Sequence, residues 1–357
     1  MSTEAGPAPL WPAGAATGVG SLPGTDPVDA TKSVFDELPD LPHLPELPAR
    51  GPGAAMIGRS AAILLDLPVD LQPAGWRLVP RPGLDLRRSR DLLRQDLDAL
   101  TDVAADYSGP LKVAVAGPWT LAAEIELPRG HKALSDAGAT RDLADALAAG
   151  LADHLGDIGR RVPGARLIVQ LDEPSLPLVL AGRVRTPSGF SVVPAVEEGL
   201  VVQRLRAVAD ATRALPGVAG VGVHCCAADV PLAALRDAGV DFVGLDAALL
   251  TRALDDAVGE LVEAGVRLIA GLIATGASVP TGGSVATGGG SAKLSDVRRT
   301  VEPVTALWSR LGFRPEQLGE VVAVAPACGL AGFDVGAARA VMRHCRRAGR
   351  ALVDAPA

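Results

Sequence analysis

Residues 219–273 read AGVGVHCCAADVPLAALRDAGVDFVGLDAALLTRALDDAVGELVEAGVRLIAGLI. Three short apolar runs stand out in it: AGVGVHC (219–225), DFVGLD (241–246) and RLIAGLI (267–273). The segments between them are longer and amphipathic, so the stretch reads as strand, helix, strand, helix, strand. The runs are apolar almost throughout, without the in-and-out alternation of a half-exposed strand. Such strands are covered on both faces, as in a parallel sheet flanked by helices.

Working outward, the same alternation extends along the chain. Candidate strands are AATGVGS (15–21), WRLVP (76–80), LKVAVAG (111–117), RLIVQLD (166–172) and VVAVAPA (321–327), which with the first three make eight. WRLVP is the weakest of them. Helical periodicity runs through 89–107, 140–162 and 197–215. Eight βα units predict an α/β fold of one domain, a single (β/α)8 TIM barrel over 15–350 after a flexible N-terminus (1–14). A doubly wound sheet is the alternative. Residues 22–75, rich in proline and glycine, are too long for one connection and read as an N-terminal insertion with short helices over one end of the barrel. The stretch 275–293, TGASVPTGGSVATGGGSAK, has no periodicity and reads as a mobile loop.

Composition narrows the partners. The chain has 357 residues, 48% hydrophobic and 21% charged, with 41 acidic against 34 basic residues and a net charge of -7. That balance, spread without long runs, offers no basic stripe to nucleic acid. No apolar run is long enough for a membrane span, and the first residues lack the pattern of a secretory signal, so the expected location is cytoplasmic. The four cysteines are then expected to be reduced.

In a barrel, chemistry gathers at the C-terminal ends of the strands. There the sequence places Ser21, Asp172, His224 to Cys226, Asp246 and Cys328. His224 and Cys226 stand at i and i+2 where the chain leaves its strand, and can turn to one centre. With Cys328 and Asp246 they offer one imidazole, two thiolates and a carboxylate, a donor set suited to Zn rather than to Mg or Ca. The same residues are also compatible with strand ends that never meet. Cys225 should point into the wall. His43, His131 and His154 have no evident partner and read as surface residues, and Cys345, beside His344 on a basic helix, as structural or solvent-facing. Trp119 reads equally as an apolar wall for a ligand or as core, and Glu173 as a ligand contact or a capping carboxylate.

ATGVGSLPGTDP near the start, AGPWT (116–120), QLDEPSLP (170–177), HCC (224–226) and ACGL (327–330) occur in an order and spacing that resembles the catalytic C-terminal half of cobalamin-independent methionine synthase. That family belongs to the superfamily that also holds uroporphyrinogen decarboxylase. The resemblance covers most of 15–345. It implies a (β/α)8 barrel that holds zinc and transfers a methyl group to the thiol of homocysteine, a methyltransferase of methionine biosynthesis. It further implies His224, Cys226 and Cys328 as zinc ligands, with Asp246 near the place of the family's glutamate. Ser21 matches the serine that contacts homocysteine and Asp172 the aspartate that holds its amino group, with Glu173 and Trp119 as further substrate contacts. Where the family carries a histidine after the seventh strand this sequence reads LIATGASVP, which leaves a methylcorrinoid or another donor open beside methylfolate; the alternatives are alkyl transfer to a different small thiol and a zinc- or metabolite-binding barrel without turnover. The chemistry accounts for the residue types. A free thiol of pKa roughly 8.5 is mostly protonated at neutral pH, and zinc holds it as the nucleophilic thiolate.

Overall fold

The computed structural model describes residues 9–275 and 294–354. In chain order the regular elements are α1 (Pro27–Glu37), α2 (Met56–Ala61), β1 (Val69–Gln72), β2 (Gly75–Leu78), α3 (Leu84–Ala104), β3 (Gly109–Ala116), α4 (Pro118–Glu124), α5 (Ala137–Arg161), β4 (Ala165–Asp172), α6 (Leu176–Leu180), α7 (Glu198–Arg213) and β5 (Val218–Cys225). They continue with α8 (Leu232–Asp237), β6 (Phe242–Asp246), α9 (Asp255–Glu263), β7 (Arg267–Ile273), α10 (Val297–Leu311), α11 (Pro315–Val321), β8 (Val322–Pro326) and α12 (Val335–Val353).

Strands β3 to β8 pair in sequence order, all parallel, in one curled six-stranded sheet. The expected eight regular strands are therefore six. WRLVP is not among them: β2 pairs antiparallel with β1 around the turn at Pro73–Ala74, forming a separate hairpin. A two-residue turn lets it pair locally at little entropic cost, and Gly75 at φ +128° supplies the conformation the hairpin needs.

Two extended segments lie between the outer strands. Residues 15–17 bond to β8, with Thr17 N–H donating to Val324 O at 2.9 Å and Val324 N–H to Ala15 O at 3.0 Å. Residues 20–22 then bond to Glu46, and Leu44 and Lys112 link 42–44 to β3, with Leu44 N–H donating to Lys112 O at 2.9 Å. These contacts are isolated bridges rather than ladders. In LPHLPEL (41–47), Pro42 and Pro45 have no N–H to donate, so the segment donates through Leu44 and Glu46 while Pro42 O accepts from Lys112 N–H.

Two apolar clusters result. The larger lies between sheet and helices. The smaller is inside the curl and joins Ala15, Leu41, Ile168, Phe242, Ile269, Ala323 and Ala325 to Trp11. Residues 9–14, expected to belong to a flexible terminus, instead seat Trp11 fully buried edge-on against Phe242, with Gly14 N–H bonded to Gly319 O. Burial of the indole's large apolar area opposes the cost of its Nε1–H, which is buried without a partner among the described residues, and Gly14 at φ +72° turns the chain into the first extended segment. The loop expected at 275–293 lies outside the described residues apart from Thr275. Among the described residues no helix is long and apolar enough to cross a membrane.

Candidate functional site

Register places the site. Ala116, Asp172, His224 and Gly244 are successive cross-strand partners on β3, β4, β5 and β6. Asp172 and His224 therefore stand side by side, and His224 Nδ1 lies 3.0 Å from Asp172 Oδ1. Gly244 leaves room for the imidazole: a Cβ there would sit 3.2 Å from His224 Cδ2. Asp172 Oδ1 also accepts from Gln170 Nε2 at 2.8 Å, and among the described residues Oδ2 takes no hydrogen bond. A carboxylate only accepts, so His224 donates from Nδ1, and in the neutral imidazole Nε2 is the nitrogen left bare. That Nε2 is buried without a partner.

Cys226 and Cys328 come together, their Sγ atoms 3.0 Å apart. The hydrogen bond from Cys226, then the His224 charge, draw the Cys328 thiol down to about 6 against the effect of burial. The same contact and burial push the Cys226 thiol up. Burial disfavours a charged His224, but the hydrogen bond and charge of Asp172 outweigh it and raise the imidazole above its ordinary value. Ser21 joins the same end of the sheet: its carbonyl accepts from Leu330 N–H at 2.8 Å, and its Oγ lies where a Cβ on Gly329 would be, 2.0 Å away. Only glycine fits beside Cys328 with Ser21 in that place.

Other expected residues do different work. Asp246 follows Leu245, the register partner of Cys225, and its carboxylate caps Ala248 N–H at 2.9 Å. Among the described residues no group of three or more His, Cys, Asp and Glu side chains is gathered at metal-holding distance. Glu173 is wholly buried and caps α4, accepting from Trp119 N–H at 2.9 Å and from Thr120 N–H and Oγ–H at 2.7 Å each. Burial pushes its carboxyl up to about 7. Trp119 is not a wall of the site: it is buried in the helix-facing core, its indole N–H donating to Val201 O of α7 at 3.3 Å. Cys225 faces the wall, fully buried, its thiol pushed up to about 12 by burial, and Cys345 is buried on α12.

His43 and His154, read as surface residues, are buried. His43 lies inside the curl, where its Nδ1 accepts from Gly18 N–H at 3.3 Å, and a Cβ on Gly18 would meet its ring at 2.3 Å. A short apolar-and-proline segment gave no hint of an inward face. Sequence reading also missed Lys112, Gln170 and Glu46. Lys112 is wholly buried and donates to Val19 O at 2.8 Å and to Gln170 Oε1 at 2.7 Å. Glu46 is buried, takes no side-chain hydrogen bond among the described residues, and is pushed up to about 7, by burial first and by the charge of Asp172 among its neighbours. The available signal was polar residues in strand positions otherwise apolar, Lys112 and Gln170 above all.

The donor set suits zinc in kind. Zn–S bonds of about 2.3 Å in a tetrahedron would separate two sulfurs by roughly 3.8 Å, so the thiols would part by under about 1 Å to share an ion. His224 has Nδ1 held by a carboxylate and a buried, unpartnered Nε2, as a metal-binding histidine does, but its ring and the two thiols would have to draw together to share an ion.

No protein-family model matches the chain, and no curated protein matches it. Among solved structures the chain is similar to a B12-independent methionine synthase from Shewanella sp. W3-18-1 in complex with selenomethionine. The match covers 96% of this chain and 98% of that one at 11% identity, with a TM-score of 0.55. A putative lyase/mutase from Burkholderia cenocepacia J2315 covers 96% and 88% at 16% identity, with a TM-score of 0.36. The first of these shares the fold.

Proposed function

We propose that the protein is a zinc-dependent methyltransferase that methylates the thiol of homocysteine to give methionine, on a barrel closed by segments 15–21 and 42–46. The observation that carries the reading is His224, with Nδ1 fixed by Asp172 and Nε2 bare, at the strand end next to the Cys226–Cys328 pair. The fold it shares with a methionine synthase held with selenomethionine supports a ligand of that type.

His224, Cys226 and Cys328 would hold the metal, and Asp246 could serve as the fourth donor only by releasing Ala248 N–H. Zinc there would supply the positive charge that keeps the acceptor sulfur a thiolate near neutral pH. The chain's own part is binding and orientation. Asp172 Oδ2 is free to accept an ammonium while Oδ1 holds His224, so one carboxylate would fix both the amino end of the substrate and the metal's histidine. Ser21 sits against Gly329 and thus beside the cysteine pair. Glu46 lies in the field of Asp172, and a bound ammonium would favour its ionised form. Oriented in this way, the sulfur meets the donor's methyl with its entropy of approach already lost.

Metal content of protein purified without added zinc tests the reading, with Cys226→Ser and Cys328→Ser alongside. One zinc per chain, lost in both variants, is expected, together with methionine formed from homocysteine and either methyltetrahydrofolate or a methylcorrinoid. Wild-type protein that takes up no zinc on reconstitution would return the cysteines to ordinary packing.

A further inference from the structure

The first extended segment changes neighbours as it runs. Up to Thr17 it bonds to β8, and from Gly20 it bonds to Glu46. At the crossing, Gly18 N–H and Val19 C=O have no backbone partner in either neighbour. Side chains from inside the curl take their place. His43 accepts from Gly18 N–H, while Lys112 Nζ and Gln170 Nε2 both donate to Val19 O, at 2.8 and 3.0 Å.

Lys112 has donors only, so the oxygen of the Gln170 amide must face it, at 2.7 Å. The amide nitrogen then faces away and donates both to Val19 O and to Asp172 Oδ1. Asp172 Oδ1 in turn holds His224 Nδ1. A polar chain thus runs from Lys112 through Gln170 and Asp172 to His224, with every link between 2.7 and 3.0 Å and each donor's direction set by the one before. A lysine with no exposure and no carboxylate bonded to it is costly to keep. Packing does not require it, since the interior below it is apolar.

We propose that Lys112 is a positioning residue which, through Gln170, locks the Asp172–His224 pair and the Val19–Ser21 segment to each other, so that the thiol-binding and metal-binding halves of the site are set as one unit. Its role in metal binding rests on the reading above, but its action on the Asp172–His224 pair does not. The pair can therefore be examined without metal.

The test uses the full chain, stripped of metal with a chelator and labelled with 15N at its five histidines, the His224 signals being assigned by their loss in His224→Gln. Two variants are compared with wild type. Lys112→Met removes the anchor. Gln170→Glu gives Lys112 a buried counter-charge but puts a carboxylate against Asp172, so it cuts the chain at its middle while keeping the anchor paired. In wild type the His224 Nδ1 proton should exchange slowly with solvent. In either folded variant exchange should quicken at least about tenfold, and zinc affinity should fall by roughly 10- to 100-fold, as for loss of a group that supports a metal ligand. Wild-type exchange in a folded Lys112→Met, or in Gln170→Glu where Lys112→Met does not fold, would overturn the proposal. Faster exchange in a protein whose wild type binds no zinc would uphold the relay and remove the metal reading alone.

Discussion

Glu46→Gln isolates the cost of one buried charge. Glu46 sits where the second extended segment meets Gly20, with Arg59, Asp172, Lys112 and Asp96 in its field and burial as the largest influence. Its carboxyl rises from 4.5 to about 7 on folding. For an acid whose pKa is higher in the folded state, the stabilising contribution is complete below the unfolded value and is lost as pH rises through the folded value. With those two values, linkage weakens the native state by about 1 kcal/mol at pH 5 and by about 3 kcal/mol at pH 8. Glutamine keeps the shape and cannot ionise. The variant's advantage over wild type should therefore grow by roughly 2 to 3 kcal/mol between pH 5 and pH 8. Urea unfolding of the metal-free proteins at the two pH values measures it, and comparison with the variant cancels Glu173, which rises in the same way. A stability difference that is the same at both pH values would refute the reasoning, and would mean that water or a cation already compensates Glu46 in the folded state.

Gly117→Ala would place a Cβ 2.3 Å from Glu173 Oε1, inside any real contact distance. Displacing that carboxylate from Trp119 and Thr120 should cost about 2 to 4 kcal/mol by loss of buried hydrogen bonds, read as a lower urea midpoint with zinc content per folded chain unchanged. Asp246→Asn keeps an acceptor for Ala248 N–H, so helix capping and stability should hold within about 0.5 kcal/mol. Zinc affinity then decides its role: a fall marks Asp246 as a ligand, and an unchanged value leaves it a cap.

Much of the sheet was legible because β3 to β8 bury both faces and so are apolar throughout, a pattern that survives any helix arrangement around them. Their C-terminal residues were legible for the same reason: Asp172 and His224 are polar interruptions where apolar continuity ends, and the register makes them partners. Of the two extended segments beside the sheet, AATGVGS was legible as a strand, although it meets β8 only in a short bridge at Ala15–Thr17, whereas LPHLPEL, with prolines where a strand has donors, was not. WRLVP has the composition of a strand, and nothing within it tells a hairpin from a barrel. The buried histidines failed similarly, since burial of His43 and His154 follows from which way a segment faces after closure. Asp246 was placed correctly along its strand, but a carboxylate there can turn to its own backbone two residues on, and local capping competes with any distant partner.

Side-chain size inside the curl explains why the polar cluster sits at one end. At the far end the interior is filled by Trp11, Leu41, Ile168, Phe242 and Ile269, and Phe242 fits only because Gly222 has no side chain: a Cβ there would lie 2.4 Å from the Phe242 ring. One step further along the strands the inward positions are Ala116, paired with Asp172, and Gly244, paired with His224, with Gly271 paired to Asp246. Towards Asp172 and His224 the inward side chains thus change from large to small. Lys112 and Gln170 lie between the two regions, on the inner face of β3 and β4. A polar layer there has apolar packing beneath it and the site above it, which leaves its hydrogen bonds nowhere to go but to one another, to Val19 and to Asp172. The same confinement that makes the layer expensive to build makes it directional. An apolar Lys112→Met interior would fill the volume, but it would leave Gln170 free to rotate and so cost the site its orientation.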